Sequence, residues 1–355
     1  RREMGAPTAP ADVVPGLAQQ MRAVRVAIDE ALAVTEAADD LVRIDYDQLR
    51  YQGRLDLTKV TSLQPSSANV LDALAGAERS LDEVRSGWLL PPLRSRLDEF
   101  AAEVADARDD ADLADQILTV TPALLGGEGD RHYLVAFITP AEIRGSGGFI
   151  GSFAELQATD GDVELVRSGR IKELIDAVPP GVRTISGPED YLRRWGRFDP
   201  ADFLQDVTFP LDWPSAAQVL AELYPQSGGR EVDGVMAVDP TGLAALLELT
   251  GPVAVPGISQ PLSAENAVQF LTKDQYAAYG DRAAREEVLE AAARATFNRL
   301  TNASLPAPRR LGDVLGPTAR ARHLQIWSPT EAEQDLFRTL DADGAVSVAT
   351  GTDAL

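Results

Sequence analysis

The sequence contains no cysteine and only two histidines, His132 and His323, in 355 residues. The lack of cysteine excludes disulfides, thiolate metal sites and catalysis by a cysteine nucleophile. Two histidines are too few for a zinc site built from several imidazoles. The printed sequence also has no run of about 18 apolar residues, which a membrane-spanning helix needs. The absence of cysteine fits a bacterial protein that is exported from the cytoplasm.

Basic residues are scarce, since 33 Lys and Arg stand against 55 Asp and Glu and give a formal net charge of −22. The acidity is even, with 13 basic and 24 acidic residues in 1–130 and 20 and 31 in 131–355, a net −11 in each. We expect no nucleic-acid partner, because binding to phosphates needs a basic face. A local basic pocket inside the acidic shell stays open. The length itself predicts two domains.

Residues 11–125 carry the three- and four-residue spacing of amphipathic helices. Apolar residues at this spacing are Leu17, Met21, Val24, Ile28, Leu32, Val70, Leu74, Leu81 and Val84. Acidic residues fill the other faces of these predicted helices. The pattern predicts an N-terminal helical domain, a bundle or hairpin, over residues 1–125. The alternative to a plain bundle is a stalk or an arm that binds a partner.

After Gly126-Gly127 the pattern changes to strands and turns. Tyr133–Ile138 is typical of a buried strand, and residues 149–170 form a predicted hairpin around Asp160-Gly161. The remaining predicted elements are strands Gly234–Val238, Val253–Val255 and His323–Trp327, helices over 240–250, 263–273 and 281–301, and a helix after a capping box of Ser328 and Glu331. Residues 126–355 are therefore predicted to form an α/β (α+β) domain, a mixed sheet flanked by helices.

The stretch "EIRGSGGFIG" joins the first two predicted strands of that domain. Glycine-rich turns expose backbone N–H groups that can hold an anion, here at Ser146, Gly147 and Gly148. Arg144 adds a guanidinium that can bind a phosphate through two hydrogen bonds. The alternative is a tight strand connection with Arg144 on the surface.

A second candidate for anion binding is "GDRAAREEVL", in which Arg282 and Arg285 share one face at the start of a helix. Cations at a helix N-terminus oppose the helix dipole, whereas a bound anion would be stabilised by the dipole and by both arginines. The alternative is surface pairing with Asp281, Glu286 and Glu287.

Three stretches resemble the LytR–CpsA–Psr family: the strand, loop and strand around Arg144, the unit "VDGVMAVDPTGLAALLELTGPVAV", and "GDRAAREEVL", which is similar to that family's "G-R-x-x-R-Q-x-x-L". Tyr133 to Ser152 more specifically resembles an uncharacterised bacterial domain, typically membrane-anchored, with the pattern "Y-L-V-L-F-Q-N-N-A-E-L-R-P-T-G-G-F-I-G-S". These resemblances imply an extracytoplasmic cell-envelope protein with a membrane anchor upstream of the printed sequence.

The family resemblance also implies an activity and its site residues. LytR–CpsA–Psr proteins bind polyprenyl-pyrophosphate-linked glycans and transfer them to the cell wall, and some hydrolyse the pyrophosphate. Arginines clamp the pyrophosphate, and Arg144, Arg282 and Arg285 match them, so these three are expected to converge on one cleft. Carboxylates hold Mg²⁺ in that family.

This sequence departs from the family pattern at two places. Gly145, Ser146 and Gly147 follow Arg144 where the family has an aspartate within "R-S-D". Leu271-Thr272-Lys273 replaces "F-R-H", so Lys273 stands as a further candidate for ligand binding together with Asp281. Asp206 and Asp212 are the candidates for a general base or Mg²⁺ ligand, with a helix cap as the alternative for Asp212. The missing aspartate predicts weak or absent dependence on Mg²⁺.

Three functions remain open from the sequence. The first is an envelope protein that binds a polyprenyl-pyrophosphate-linked glycan and acts as a phosphotransferase or pyrophosphatase toward the cell wall. The second is a non-catalytic envelope protein or scaffold that binds a glycan or a lipid-linked anion. The third is a glycoside hydrolase with two carboxylates, which sequence spacing alone does not support.

Overall fold

The structure of the protein, a computed structural model, describes residues 15–44, 49–51, 54–85, 88–302 and 308–346. The chain divides into two compact units. The first comprises Arg1–Asp45 and Thr58–Thr121, and the second comprises Tyr46–Leu57 and Pro122–Leu355. The predicted boundary at residue 125 lies close to this division, but the helical pattern does not indicate that a segment near residue 50 is part of the second unit. None of the described helices is long and apolar enough to cross a membrane.

The first unit is helical, as its periodicity predicts. Its helices are α1 (Pro15–Val42), α2 (Leu57–Ser62), α3 (Gln64–Arg85) and α4 (Pro91–Leu124), of which α2 begins and α4 ends in the second unit. Buried side chains of α3, among them Leu74 and Leu81, pack with Ala23 of α1 and Leu97 of α4. The large apolar side chains of α1 lie mostly on the outside of this core: Leu17, Val24, Ile28 and Leu32. The spacing therefore predicts the helix correctly but not the face that it buries.

The second unit is built on a five-stranded mixed sheet. Its strands are β3 (Arg131–Thr139), β4 (Phe149–Thr159), β5 (Asp162–Arg170), β6 (Gly234–Val238) and β7 (Leu324–Trp327), in the order β5-β4-β3-β6-β7. β3 and β6 are parallel, and the other neighbours are antiparallel. The mixed sheet lies wholly after residue 130, as predicted, but the helical pattern of residues 11–125 does not indicate β1 (Arg50–Tyr51) and β2 (Arg54–Leu55), which form a separate two-stranded sheet. Leu55 N donates to Gly161 O at the β4–β5 turn, at 2.8 Å.

Helices cover both faces of the sheet, which confirms the predicted α/β class. They are α5 (Ile171–Asp176), α6 (Glu189–Trp195), α7 (Trp213–Gln226), α8 (Pro240–Thr250), α9 (Ala267–Gln269), a π-helix (Phe270–Asp274), α10 (Gln275–Ala278), α11 (Arg282–Asn302), α12 (Pro308–Arg320) and α13 (Glu331–Thr339). Along β3, Leu134 and Ala136 face a first layer with α5, α6 and α7. Tyr133 and Val135 face a second layer with α8, α9 and α11.

The local signals for turns and caps are largely confirmed. Asp239 caps α8, where its Oδ1 accepts hydrogen bonds from the backbone N–H groups of Thr241 and Gly242 at 2.8 and 2.9 Å. Asp160-Gly161 forms the two-residue turn between β4 and β5. These signals succeed because each depends on residues within four positions of one another.

Three predicted elements are wrong in the structure. Residues 253–255 form only an isolated bridge, in which Val253 pairs with Leu262. The helix predicted over 263–273 begins at Ala267 and passes into the π-helix. The predicted capping box does not form, because the N-cap is Thr330, two residues after Ser328. The hydroxyl of Ser328 instead donates to buried Glu333 at 2.5 Å.

A buried arginine holds the long connection between α5 and α7. Arg183 is 4% exposed, and its guanidinium donates to the carbonyls of Leu174 and Ile175 at the end of α5. Its Nε donates to the hydroxyl of Ser227 at 2.8 Å, just after α7. Burial lowers the pKa of Arg183. The side chain therefore ties this connection to the C-terminal ends of α5 and α7, and it satisfies terminal carbonyls of α5.

Candidate functional site

The loop between β3 and β4 lies where the parallel strands β3 and β6 both end. Arg144 in this loop is bonded to a carboxylate from a distant part of the chain. Its Nε and one terminal nitrogen donate to Oδ1 of Asp206 at 2.9 and 2.7 Å, and Glu142 lies 3.7 Å away. The guanidinium also lies over the ring of Phe209, 5.0 Å from its centroid. The charge of Arg144 is thus balanced within the protein by Asp206.

The glycine-rich loop binds a segment of its own chain. Gly145 N donates to Phe209 O and Ser146 N to Thr208 O, at 3.2 and 3.1 Å. The hydroxyl of Ser146 donates to Pro210 O, and that of Thr208 donates to Gly148 O, both at 2.6 Å. Gly147 N is bonded to Arg144 O. The carbonyl groups of segment 206–210 therefore accept the hydrogen bonds of Gly145 and Ser146. Ser146 is one of the residues that the sequence predicts to bind an anion.

Two of the glycines are required by close approach and by backbone conformation. A Cβ on Gly145 would overlap the carbonyl oxygens of Phe209 and Pro210. Gly148 has φ +151°, where side chains are strained, and a Cβ there would overlap the carbonyl oxygen of Thr139. The "G-S-G-G" pattern thus serves the close contact between the loop and segment 206–210.

Replacing Gly145 with alanine is expected to destabilise the protein by about 1–3 kcal/mol, because the backbone of segment 206–210 must move away. Gly151→Ala is the matched control, since nothing lies within 4 Å of a Cβ at that position. The control should stay within about 0.5 kcal/mol of the parent protein. Urea denaturation measures both, and equal midpoints for the two variants would contradict the close contact.

Two aromatic rings, those of Trp195 and Phe198, pack against Phe209 of segment 206–210. Trp195 stacks on Phe209 with centroids 5.6 Å apart and an angle of 7°, and Phe198 lies 5.0 Å from Phe209. Arg197 lies over the ring of Phe198, 4.8 Å from its centroid. Two guanidinium groups, those of Arg144 and Arg197, therefore lie against one aromatic cluster. The sequence analysis did not single out these aromatic residues or Arg197, although the composition of residues 176–212 is rich in aromatics.

Large apolar side chains are exposed around this cluster. Ile143 is 89% exposed beside Arg144, and Leu211 is 62% exposed directly after Pro210. Phe203 and Phe198 are 50% and 39% exposed. Exposed apolar groups from several segments that lie close together are typical of a binding surface. We call this region the loop surface and define it by Ile143, Arg144, Arg197, Phe198, Phe203 and Leu211.

Arg285 has partners of its own, in the layer on the other face of the sheet. Its guanidinium donates to Tyr279 O at 2.9 Å and to Gly280 O at 3.3 Å, and lies over the ring of Tyr276. Arg285 belongs to α11, which packs in the second layer. Arg144 is bonded to Asp206, whose neighbours Leu204 and Val207 pack in the first layer. The side chain of Arg282 lies outside the described residues.

The other candidates have local roles or lie on the surface. Asp212 caps α7, where its Oδ2 accepts from the backbone N–H and the hydroxyl of Ser215. Its Oδ1 accepts from Val346 N at 3.1 Å. Asp281 accepts from Ala284 N in the first turn of α11, and Lys273 is exposed. Among the candidate charged side chains that the structure describes, Asp206 is the one bonded to Arg144.

Mg²⁺ does not fit the candidate residues. In the described part of the chain, no three His, Asp or Glu side chains come together in a group that could hold a metal ion. Asp206 is paired with Arg144, and both oxygens of Asp212 accept hydrogen bonds from its surroundings. We therefore derive no chemistry through a metal.

Both histidines lie against carboxylates. His323 Nδ1 is 2.7 Å from Oδ2 of Asp239, which also caps α8. His132 Nδ1 is 3.5 Å from Oε1 of buried Glu155, whose other oxygen accepts from the hydroxyl of Tyr224 at 2.5 Å. Sequence reasoning gave these groups no role, because each pair joins residues between 23 and 84 positions apart.

Residues 128–276 match the model of a family described as a protein of unknown function (DUF4012). The matched stretch contains the Arg144 loop, the aromatic cluster and strands β3 to β6, and it ends before α11. The match supports the resemblance of this part of the chain to an uncharacterised domain. No curated protein and no solved structure matches the chain.

Proposed function

We propose that the protein binds a phosphate-bearing glycan of the cell envelope, without transforming it, at the loop surface. The observation that carries this proposal is the aromatic cluster with two guanidinium groups against its rings, surrounded by exposed apolar side chains. Small-molecule sites are mostly apolar and aromatic, with a few polar groups that fix the orientation of the ligand. The loop surface has this composition.

The chemistry of the loop surface suits a glycan that carries phosphate. The C–H faces of sugar rings are apolar, and the exposed side chains of Phe198, Phe203 and Leu211 offer apolar surface to them. Arg197 is exposed and lies over Phe198, where its N–H groups remain available to a phosphate. A guanidinium matches the geometry of phosphate oxygens and forms charge-assisted hydrogen bonds with them.

The partners of the candidate carboxylates support binding of a glycan better than they support its transfer or hydrolysis. Asp206 is in an ion pair with Arg144, and Asp212 caps α7, so neither is presented as a free general base. The same contacts give no support to a glycoside hydrolase that uses these two residues. The setting in the cell envelope and a lipid-linked form of the ligand rest on the family resemblance, and the contacts at the loop surface support neither of them.

Calorimetry with purified protein tests this function. The ligands are cell-wall polysaccharide fragments, each before and after enzymatic removal of its phosphate. We expect the phosphorylated form to bind more tightly, and Arg197→Ala to weaken its binding about tenfold through loss of a charged hydrogen bond. Phe198→Ala should weaken the binding of both forms.

Arg193→Ala is the matched control, because Arg193 is an exposed arginine of the same segment that is paired with Asp190. This variant should bind both forms like the parent protein. The proposal is wrong if no fragment binds, or if Arg197→Ala and Arg193→Ala bind the phosphorylated fragments equally well. Release of phosphate or of a sugar from the fragments would show that the protein is an enzyme.

A further inference from the structure

A concave surface of the same unit, away from the loop surface, lies between α7 and α13. It is a crevice of about 400 Å³ with Trp327, the last residue of β7, among its lining residues. This volume lies within the range of roughly 300–1,000 Å³ that is typical of small-molecule sites. Its other lining side chains include Gln218 of α7 and Glu331, Gln334 and Asp335 of α13. We call it the Trp327 crevice.

The charged groups of the Trp327 crevice do not favour an anion. Glu331 and Asp335 contribute two carboxylates, whereas Arg338 is the one cation among the lining residues. That guanidinium is already paired with Asp335, and it lies 3.9 Å from a carboxylate oxygen of Asp343. A phosphate or carboxylate would meet an excess of negative charge there. The ligand class is therefore different from the one proposed for the loop surface.

The polar groups of the crevice match a ligand with several hydroxyl groups. The side-chain oxygen of Gln334 accepts from Ser328 N at 3.0 Å, which fixes the carboxamide and leaves its NH₂ group to donate. The exposed carboxamide of Gln218 can donate and accept, and the exposed carboxylate of Glu331 accepts. The lining thus offers both donors and acceptors beside a partly exposed indole. Vicinal hydroxyls, which both donate and accept, are complementary to such a set.

An extended peptide is a less suitable ligand, although β7 is the outermost strand of the sheet. A peptide adds to a sheet through unpaired backbone groups of the edge strand. Ile326 N already donates to Ala342 O at 2.7 Å, and the side chain of Gln325 is bonded to Ser146 O. The segment around Ala342 therefore occupies the edge of β7 next to Trp327.

We propose that the Trp327 crevice binds a neutral sugar residue, with the apolar face of the sugar against the indole and its hydroxyls bonded to Gln218, Glu331 and Gln334. This site uses none of the residues of the loop surface. It would give the protein a second contact with a glycan chain, or a contact with a different glycan. Two linked contacts would raise the overall affinity for a polymer through effective concentration.

The test uses the full chain and the methyl glycosides of glucose, galactose, mannose and N-acetylglucosamine, each titrated and followed by saturation-transfer NMR. We expect at least one glycoside to bind and Gln218→Ala and Glu331→Gln to weaken its binding about tenfold each. Both side chains are exposed, so neither substitution should unfold the protein. Glu164→Gln, which changes an exposed glutamate of β5, is the matched control and should bind the glycoside like the parent protein.

Arg197→Ala separates this proposal from the function proposed above. It should leave glycoside binding unchanged, because Arg197 lies at the loop surface. The proposal is overturned if none of the four glycosides binds, or if Gln218→Ala and Glu331→Gln bind them as tightly as the parent protein does. A third outcome would also overturn the proposal. If an uncharged decapeptide displaces a bound glycoside from the parent protein, and both variants lose peptide binding equally, the crevice is a peptide site.

Discussion

The protein is expected to unfold steeply between pH 10 and pH 12, because the second unit buries three tyrosines. Tyr133, Tyr191 and Tyr224 are 7%, 2% and 1% exposed. Burial raises the pKa of Tyr133 to about 12 and raises the pKa of Tyr191 and of Tyr224 further. Tyrosine in an unfolded chain ionises near pH 10.

The direction of this dependence follows from the protonation of the two states. Below about pH 10 the hydroxyls are neutral in both states, so their contribution to stability is fully present. As the pH rises from 10 through the folded pKa, the unfolded state loses protons that the folded state keeps, and the free energy of unfolding falls. Each tyrosine removes about 1.4 kcal/mol per pH unit, which amounts to about 8 kcal/mol for three at pH 12. That is comparable with the whole stability of a domain, roughly 5–15 kcal/mol.

Urea denaturation at a series of pH values from 7 to 12, followed by tryptophan fluorescence, measures the effect. Tyr191→Phe removes a hydroxyl that donates to Val207 O at 3.1 Å, so it should cost about 1 kcal/mol at pH 7. It should also make the alkaline loss of stability shallower by about one third. Tyr276→Phe, at a tyrosine that is 47% exposed, is the control and should leave the pH dependence unchanged. A free energy of unfolding that stays level from pH 10 to pH 12 would refute the prediction.

Replacing Arg183 with methionine is expected to destabilise the protein by about 3 kcal/mol. Methionine fills similar space but cannot donate, so the carbonyls of Leu174 and Ile175 and the hydroxyl of Ser227 lose their buried donor. An unsatisfied buried polar group costs about 1–3 kcal/mol. Removal of a buried charge returns part of this cost, because burial already lowers the pKa of Arg183. The net loss should therefore be smaller than the sum over the three groups.

Arg193→Met is the matched control for Arg183→Met. Arg193 is an exposed arginine in α6 whose ion pair with Asp190 is on the surface, where such pairs contribute about 0–1 kcal/mol. Urea midpoints compare the two variants, and hydrogen exchange should quicken between α5 and α7 only in Arg183→Met. Equal stability of the two variants would show that the buried guanidinium does not hold this connection.

Local chemistry in the sequence was enough to predict several elements of the second unit. The strand Gly234–Val238 and the helix after Asp239 were predicted because cap, proline and terminal glycine act within one short segment. The hairpin around Asp160-Gly161 was predicted for the same reason. The helix of residues 263–273 was predicted less well, because neither its start at Ala267 nor its π-helical turn has a strong local signal.

The candidate site could be predicted only in part. Arg144 and the glycines after it were singled out from the sequence as a candidate anion site, but their partners in the folded chain could not be named. Asp206 was expected to serve as a base or a metal ligand, and the structure pairs it with Arg144 across 62 positions of the chain. The predicted convergence of Arg144 with Arg285 on one cleft has no support from these contacts, since each has its own partners and those partners belong to different layers of the second unit.

The sequence by itself determined the periodicities, the turns, the caps and the charge, because these depend on neighbours along the chain. From them follow the α/β class, the helical first unit and the acidic character of the whole protein. Only the tertiary structure decided which face of α1 is buried, which segment packs against the glycine-rich loop and which ring lies against Arg144. Those contacts join residues that are distant in the sequence, and their free energy arises only when packing brings the groups together. Chemical type and spacing therefore marked Arg144 as a residue with a role, while folding determined that its partner is the protein's own segment 206–210.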